Sequence, residues 1–107
     1  MRIIAGKWKG HNLQTPKNNL TRPTSDRIRE ALFSALESRI ELNESLVLDL
    51  FAGTGALGLE ALSRGAETCY FVEKMTAAWA VIENNIHALD AGDKTHLLKR
   101  DAVKFGN

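Results

Sequence analysis

Residues Asp49 to Gly58 read DLFAGTGALG. Gly53, Gly55 and Gly58 stand at G-x-G-x-x-G spacing, a pattern that brings backbone N–H groups close to a nucleotide. An aspartate stands four residues ahead of the first glycine. Further acids follow at Glu73, 18 residues after Gly55, and at Asp101. Glycines of this kind suit a ligand that approaches the backbone, and a carboxylate suits one that carries hydrogen-bond donors or positive charge.

Two readings of this set compete. In a dinucleotide site the glycine turn cradles a pyrophosphate and the helix behind it offers free N–H groups and a positive dipole end. Asp49 would oppose that anion. In the other reading the ligand has a cationic amino-acid part and no phosphate, and Asp49 accepts hydrogen bonds from its ammonium. S-adenosylmethionine is such a ligand. Glu73 serves either reading, because a carboxylate at the end of a second strand can accept both ribose hydroxyls. Asp101 could accept from an adenine amino group.

The elements that would position these residues are readable from the pattern. Leu46–Phe51 is nearly all apolar, as expected of a parallel strand buried on both faces. Ala56–Arg64 reads as a helix followed by Gly65, and Gly58 would let that helix pack closely on the strand. Thr68–Glu73 is a second strand, Ala77–Leu89 a helix, and Thr95–Lys99 a third strand. Strand–helix–strand–helix–strand is half of a doubly wound α/β sheet. Acids at Asp49, Glu73 and Asp101 would then share one sheet edge. Ahead of this lie two short candidate strands, Arg2–Gly6 and His11–Thr15, a proline-bounded connector from Pro16 to Pro23, and a helix over Thr24–Arg39. Ile28, Leu32, Ala35, Leu36 and Ile40 recur along that helix at helical spacing, and Thr24, Ser25 or Asp26 could cap it.

The 107 residues suggest a modest core, with a division into an arm and connector (1–23) and a Rossmann-like domain (24–107). Three parallel strands usually continue into a second half-sheet, so the chain is expected to be a fragment of a longer protein or a shortened one. The third strand is the expected exposed edge. Net charge is only +1, but it is unevenly spread. Residues 1–29 hold seven bases against one acid, and the remainder seven bases against twelve acids. A basic arm on an acidic body points to a polyanionic partner, with a merely solvated tail as the alternative. The lone Cys69 is read as a small buried hydrophobe, and no run nears the roughly 18 apolar residues that cross a membrane. A reducing cytoplasm is the expected compartment. His87 and His96 have no neighbouring ligand set, so no metal is expected.

With these features in view, DLFAGTGALGLEALSRGA followed by FVEK resembles the first two cofactor motifs of S-adenosylmethionine-dependent methyltransferases. RIIAGKWKGHNLQTP and RPTSDRIREALFSAL resemble the opening of the bacterial family that methylates a guanine N2 in small-subunit (16S) ribosomal RNA. The resemblance runs from Arg2 to about Ala102. It implies a Rossmann-like S-adenosylmethionine-dependent methyltransferase fold, present here as the first half of the sheet behind a β-hairpin arm. It implies that Asp49 and the turn Phe51, Ala52, Gly53 and Gly55 hold the methionine part, and that Glu73 binds the ribose with Lys74 beside it. Asp101 and Ala102 would flank the adenine. Thr24 and Arg27 would help close the site over the cofactor carboxylate. The family's catalytic Asp/Asn-Pro-Pro-aromatic motif does not occur in residues 1–107, so it is expected beyond Asn107. In this context Arg2, Lys7, Trp8, Lys9, His11 and Arg22 become candidates for contact with ribosomal RNA or an assembling small subunit. The cations would meet phosphates, and Trp8 would either stack on a base or cover the hairpin's apolar side. Trp79, Phe33, Phe71 and Met75 are expected to pack, and Asn84 and Asn85 to face a helix surface or cap a loop. An NAD-binding enzyme and a non-catalytic RNA-binding module remain the rival readings.

Overall fold

A computed structural model describes residues 1–15, 25–50 and 53–100. Within them the order is α1 (Asp26–Glu37), β1 (Leu46–Leu50), α2 (Ala56–Ser63), β2 (Thr68–Val72), α3 (Thr76–Ala88), a short 3-10 turn (Gly92–Lys94) and β3 (Thr95–Leu98). The three strands are parallel in the order β1-β2-β3, with Asp49 opposite Phe71 and Phe71 opposite Leu97. Two successive crossovers on one side of a sheet are the right-handed solution for this order. The α/β half-sheet read from the sequence is therefore the fold.

Side chains alternate across the strands. Val47, Cys69, Phe71 and Leu97 join the core beneath α2 and α3. Gly58 makes this packing possible: a Cβ there would fall 2.4 Å from the Phe71 ring and 2.6 Å from the Cys69 sulfur. Burial raises the Cys69 thiol pKa, in keeping with a small apolar filler. The opposite face is bare along β1, where Leu46, Leu48 and Leu50 are 68, 49 and 43% exposed. Among the described residues this face of β1 is uncovered, unlike the burial on both faces expected from its sequence, because α2 and α3 lie on one side only. The edge exposure expected at β3 is shared, since β1 is also an edge of this sheet and carries the exposed leucines. An apolar cleft of about 340 Å³ runs beside β1, lined by Leu32, Leu36, Ile40, Leu46, Leu48 and Leu57 among others. No helix among the described residues is long and apolar enough to cross a membrane.

Residues 1–15 are not a free arm. Ile3, Trp8 and Leu13 sit in the same core as Leu59 and Leu62. The expected hairpin closes around a single antiparallel bridge, Arg2 to Asn12, instead of two strands. The reason lies in where its N–H groups go. Ile4 and Ala5 donate to the two carboxylate oxygens of Glu60 (2.9 and 3.1 Å), and Lys7 donates to the Ser63 carbonyl (2.9 Å). The expected boundary between residues 23 and 24 lies outside the described residues, as does the connector from Pro16 to Pro23.

Helix α1 is capped by Ser25, whose Oγ accepts from the Ile28 N–H at 3.2 Å. Its buried positions are Arg29 and Phe33, while Ile28, Leu32 and Ile40 of the expected apolar stripe are exposed. Polar chemistry decides this rotation. The Arg29 guanidinium is fully buried and donates to the Arg2 carbonyl (2.7 Å), Asp26 (2.6 Å) and Glu60 (3.4 Å). Its hydrogen bond also lowers the Asp26 pKa. Glu60, equally buried, takes a further bond from Arg64 Nε at 2.9 Å. One carboxylate thus fastens the arm, α1 and α2. Removing one member of such a set strands a buried charge, at a cost of roughly 3–5 kcal/mol. Glu60→Ala is expected to destabilise by that order in urea unfolding, and more than Arg29→Ala, which leaves Glu60 its Arg64 and backbone donors. The double variant should lose less than the sum of the two.

Candidate functional site

Sequence dictates a bend between β1 and α2. Gly53 and Gly55 adopt φ of 60° and 79°, the left-handed region where a side chain is strained. Gly55 serves as the N-cap of α2, so it offers no side chain to the first helical N–H groups. Neighbours supply the acceptors instead. Thr54 Oγ1 accepts from Ala56 N–H (3.3 Å), and Asp49 Oδ2 accepts from Gly58 N–H (3.1 Å). The free N–H groups expected at this helix start are therefore largely engaged already. The bend does not offer the open anion cradle that a pyrophosphate needs.

Glu73 follows β2. Because Asp49 is opposite Phe71, Glu73 falls on the same sheet face as Asp49, one step further along. Its side chain is buried. Oε1 accepts from Gly53 N–H (2.9 Å), and Oε2 accepts from Lys74 and Met75 N–H (3.0 and 2.9 Å). It thereby joins the bend to the start of α3. Each carboxylate oxygen has two lone pairs, and among the described residues Oε1 accepts from Gly53 alone.

The sheet rim thus carries two carboxylates. Burial first, and the negative charge of Glu73 after it, raise the Asp49 pKa to about 6, although the Gly58 N–H works the other way. A carboxylate in that condition favours a donor-rich cation that replaces its lost solvation. These acceptors therefore fit an ammonium beside Asp49 and a hydroxyl beside Glu73 Oε1.

The other expected residues fall in different places. Phe51, Ala52, Asp101, Ala102, Thr24 and Arg22 lie outside the described residues. Lys74 is exposed next to Glu73, and Arg27 is exposed on the first turn of α1. Arg2, Lys7, Lys9 and His11 are exposed, with Arg2 Nε 3.3 Å from Asp26. Trp8 is only 8% exposed, within the core, and Lys7 Nζ lies 4.8 Å from its ring centroid. The packing alternative for Trp8 therefore replaces base stacking. Among the described residues no group of His, Cys, Asp and Glu is placed to hold a metal ion.

Two residues of the site were not read from the sequence. Thr54 was passed over between its glycines. Asn85, expected at a surface or a loop cap, is buried and bonds to the bend itself. Its signal was present, since it interrupts the apolar stripe of Ala78, Val81, Ile82, Ile86 and Leu89.

The Asp49 shift has a sign that can be checked. A carboxyl whose folded pKa is raised adds stability below its unfolded pKa near 4, and that stability is lost as pH rises through about 6. The ionised group then costs the fold up to about 3 kcal/mol. Asp49→Asn is expected to match the parent in stability near pH 4 and to exceed it by about 1–3 kcal/mol at pH 8, measured by urea unfolding across that range.

The family model described as conserved hypothetical protein 95 matches residues 1–107. The chain is 41% identical over 105 residues to ribosomal RNA small subunit methyltransferase D of Escherichia coli K12, covering 98% of this chain and 52% of that one. With the protein of the same name from Haemophilus influenzae it shares 36% identity over 106 residues, covering 98% and 54%. The solved structure of the Escherichia coli yhhF protein matches with a TM-score of 0.85 at 38% identity, covering 98% of this chain and 55% of that one. A hypothetical protein of Thermus thermophilus gives 0.84 at 34%, covering 98% and 58%. The chain spans about half the length of the curated relatives it matches. Matched along its whole length, it belongs to the family described as conserved hypothetical protein 95, the family of ribosomal RNA small subunit methyltransferase D.

Proposed function

We propose that this chain is the cofactor-binding part of an S-adenosylmethionine-dependent methyltransferase acting on the exocyclic N2 amine of a guanine in small-subunit ribosomal RNA. The observation that carries the reading is the half-buried Asp49 carboxylate at the glycine bend, bonded to the Gly58 N–H, with Glu73 on the same face and the Asp49 pKa raised. The names of the relatives support the reaction class and the RNA. The guanine and its N2 amine rest on the resemblance of RIIAGKWKGHNLQTP and RPTSDRIREALFSAL to that family.

In this reading Asp49 receives the ammonium of the methionine part, and Phe51, Ala52, Gly53 and Gly55 border it. Glu73 receives a ribose hydroxyl at the remaining lone pair of Oε1, with Lys74 alongside. Asp101 and Ala102 flank the adenine, and Thr24 and Arg27 help close over the cofactor carboxylate. When bound, S-adenosylmethionine supplies an activated methyl on its sulfonium for direct in-line displacement. The residues of this chain contribute position and the exclusion of water, which is where most of the acceleration of such a transfer arises. Orientation of the target amine falls to the Asp/Asn-Pro-Pro-aromatic motif, which residues 1–107 do not contain. Arg2, Lys7, Lys9, His11 and Arg22 meet the RNA backbone, and the cytoplasm is where that RNA resides.

Dinucleotide binding is disfavoured by the same geometry, since Asp49 already occupies the Gly58 N–H and repels phosphate. Calorimetric titration separates the two. S-adenosylhomocysteine, which carries the same ammonium and ribose, is expected to bind and NAD is not. Its affinity should rise with pH through about 6 and then level off, because only ionised Asp49 pairs with the ammonium. Asp49→Asn should weaken it by about tenfold or more. Binding of NAD alone overturns the proposal. On the RNA side, Lys7→Ala with Lys9→Ala should weaken binding to a 16S ribosomal RNA transcript and reduce the salt slope by roughly one per lysine, as read by filter binding at several salt concentrations.

A further inference from the structure

We propose that Asn85 is a positioning residue that couples residues 1–15 to the glycine bend, so that cofactor and RNA bind cooperatively. This rests on the function proposed above. Asn85 is 2% exposed, on α3. Its Oδ1 accepts from the Gln14 N–H at 2.7 Å, and its Nδ2 donates to the Gln14 carbonyl at 3.0 Å. The carboxamide therefore reads one residue's backbone through both its N–H and its carbonyl, as a neighbouring strand would. The second Nδ2 hydrogen goes to the Thr54 carbonyl at 3.0 Å. This Thr54 lies between the two left-handed glycines, and its Oγ1 accepts from the first N–H of α2.

The three bonds satisfy both donors and the oxygen of the side chain, and they fix which end is which. Oxygen must face an N–H and nitrogen must face two carbonyls. Three separate parts of the chain meet there: the end of the arm, the bend and α3. Gln14 is also bound by its side chain, whose Oε1 accepts from Asn84 Nδ2 at 3.1 Å on the exposed side of α3. Asn84 therefore grips the arm without touching the bend. Asn85 grips both.

A ligand in the bend presses on the Gly53–Thr54–Gly55 peptides and so on the Thr54 carbonyl. A ligand on the basic arm presses on residues that end at Gln14. Both act on one buried side chain whose bonds cannot be exchanged for water. Strengthening one contact set then holds the other, and the effect is reciprocal. The sequence of events can begin from either ligand.

Amide hydrogen exchange of the full chain with and without S-adenosylhomocysteine tests this. In the parent, the ligand should slow exchange at the bend and also at Ile3, Leu13 and Gln14, by about fivefold or more. A purely structural Asn85 would hold the arm equally with and without ligand, so the ligand would leave those three amides unchanged. Asn85→Ala should abolish the transfer to Ile3 and Leu13 and weaken S-adenosylhomocysteine by about tenfold, whereas Asn84→Ala should do neither. Slowing confined to the bend in the parent, or an Asn85→Ala variant that behaves as the parent, overturns the coupling alone. Should Asn85→Ala not fold, the exchange pattern of the parent decides. Failure of the parent to bind S-adenosylhomocysteine sinks the proposed function and this inference with it.

Discussion

The bend between β1 and α2 is held from two sides by carboxylates that accept its own backbone N–H groups. Asp49 takes Gly58 and Glu73 takes Gly53. This arrangement fixes the turn without a bound ligand and removes donors that a phosphate would use. It also leaves two negative charges close together in a partly dry place. Desolvation of Asp49 outweighs the bond from the Gly58 N–H, which is why its pKa rises. A fold that keeps an acid there against its own stability is shaped for a cation that restores what water supplied. In the proposed reading, the preference for a cationic ligand rests on that charge balance more than on the glycine spacing.

A second polar junction sets the arm. Glu60 receives Ile4, Ala5, Arg29 and Arg64, all around one buried carboxylate. Ser63 Oγ accepts from Trp8 N–H and donates to the Ala5 carbonyl. Residues 1–15 are therefore a structured part of the domain, and Arg2, Lys7, Lys9 and His11 are exposed on that backbone. Preordering lowers the entropy lost on meeting a polyanion. The same junction explains why Trp8 is buried: with the backbone drawn onto α2, its indole has the core beside it.

Much of this was legible in the sequence, for identifiable reasons. The order of strands and helices followed from the change between continuous apolar runs and helical spacing, with Gly53, Gly55 and Gly65 as punctuation. The tight α2–β2 contact was legible in Gly58. The buried face of α1 was not, because apolar spacing pointed to Ile28 and Leu32 while an arginine, Arg29, is the buried residue. Periodicity ranks arginine as surface, and only the acids gathered from α1 and α2 reverse that. Coverage of β1 by the described residues was not legible, because a run such as Leu46–Leu50 reads alike whether one or both faces are covered. Asn85 was visible as a polar break in an apolar stripe, but its partners at Gln14 and Thr54 are 71 and 31 residues away in sequence. Such long-range pairs leave no local mark.

The central claim is that Asp49 waits, ionisable and poorly solvated, for a cationic amino-acid group. Its side-chain carboxyl carbon can be followed by NMR through a pH titration, with and without saturating S-adenosylhomocysteine. The account predicts a midpoint near 6 in the free protein, falling below the ordinary aspartate value near 4 when the ligand is bound. An Asp49 midpoint that is unchanged by a bound ligand would contradict it.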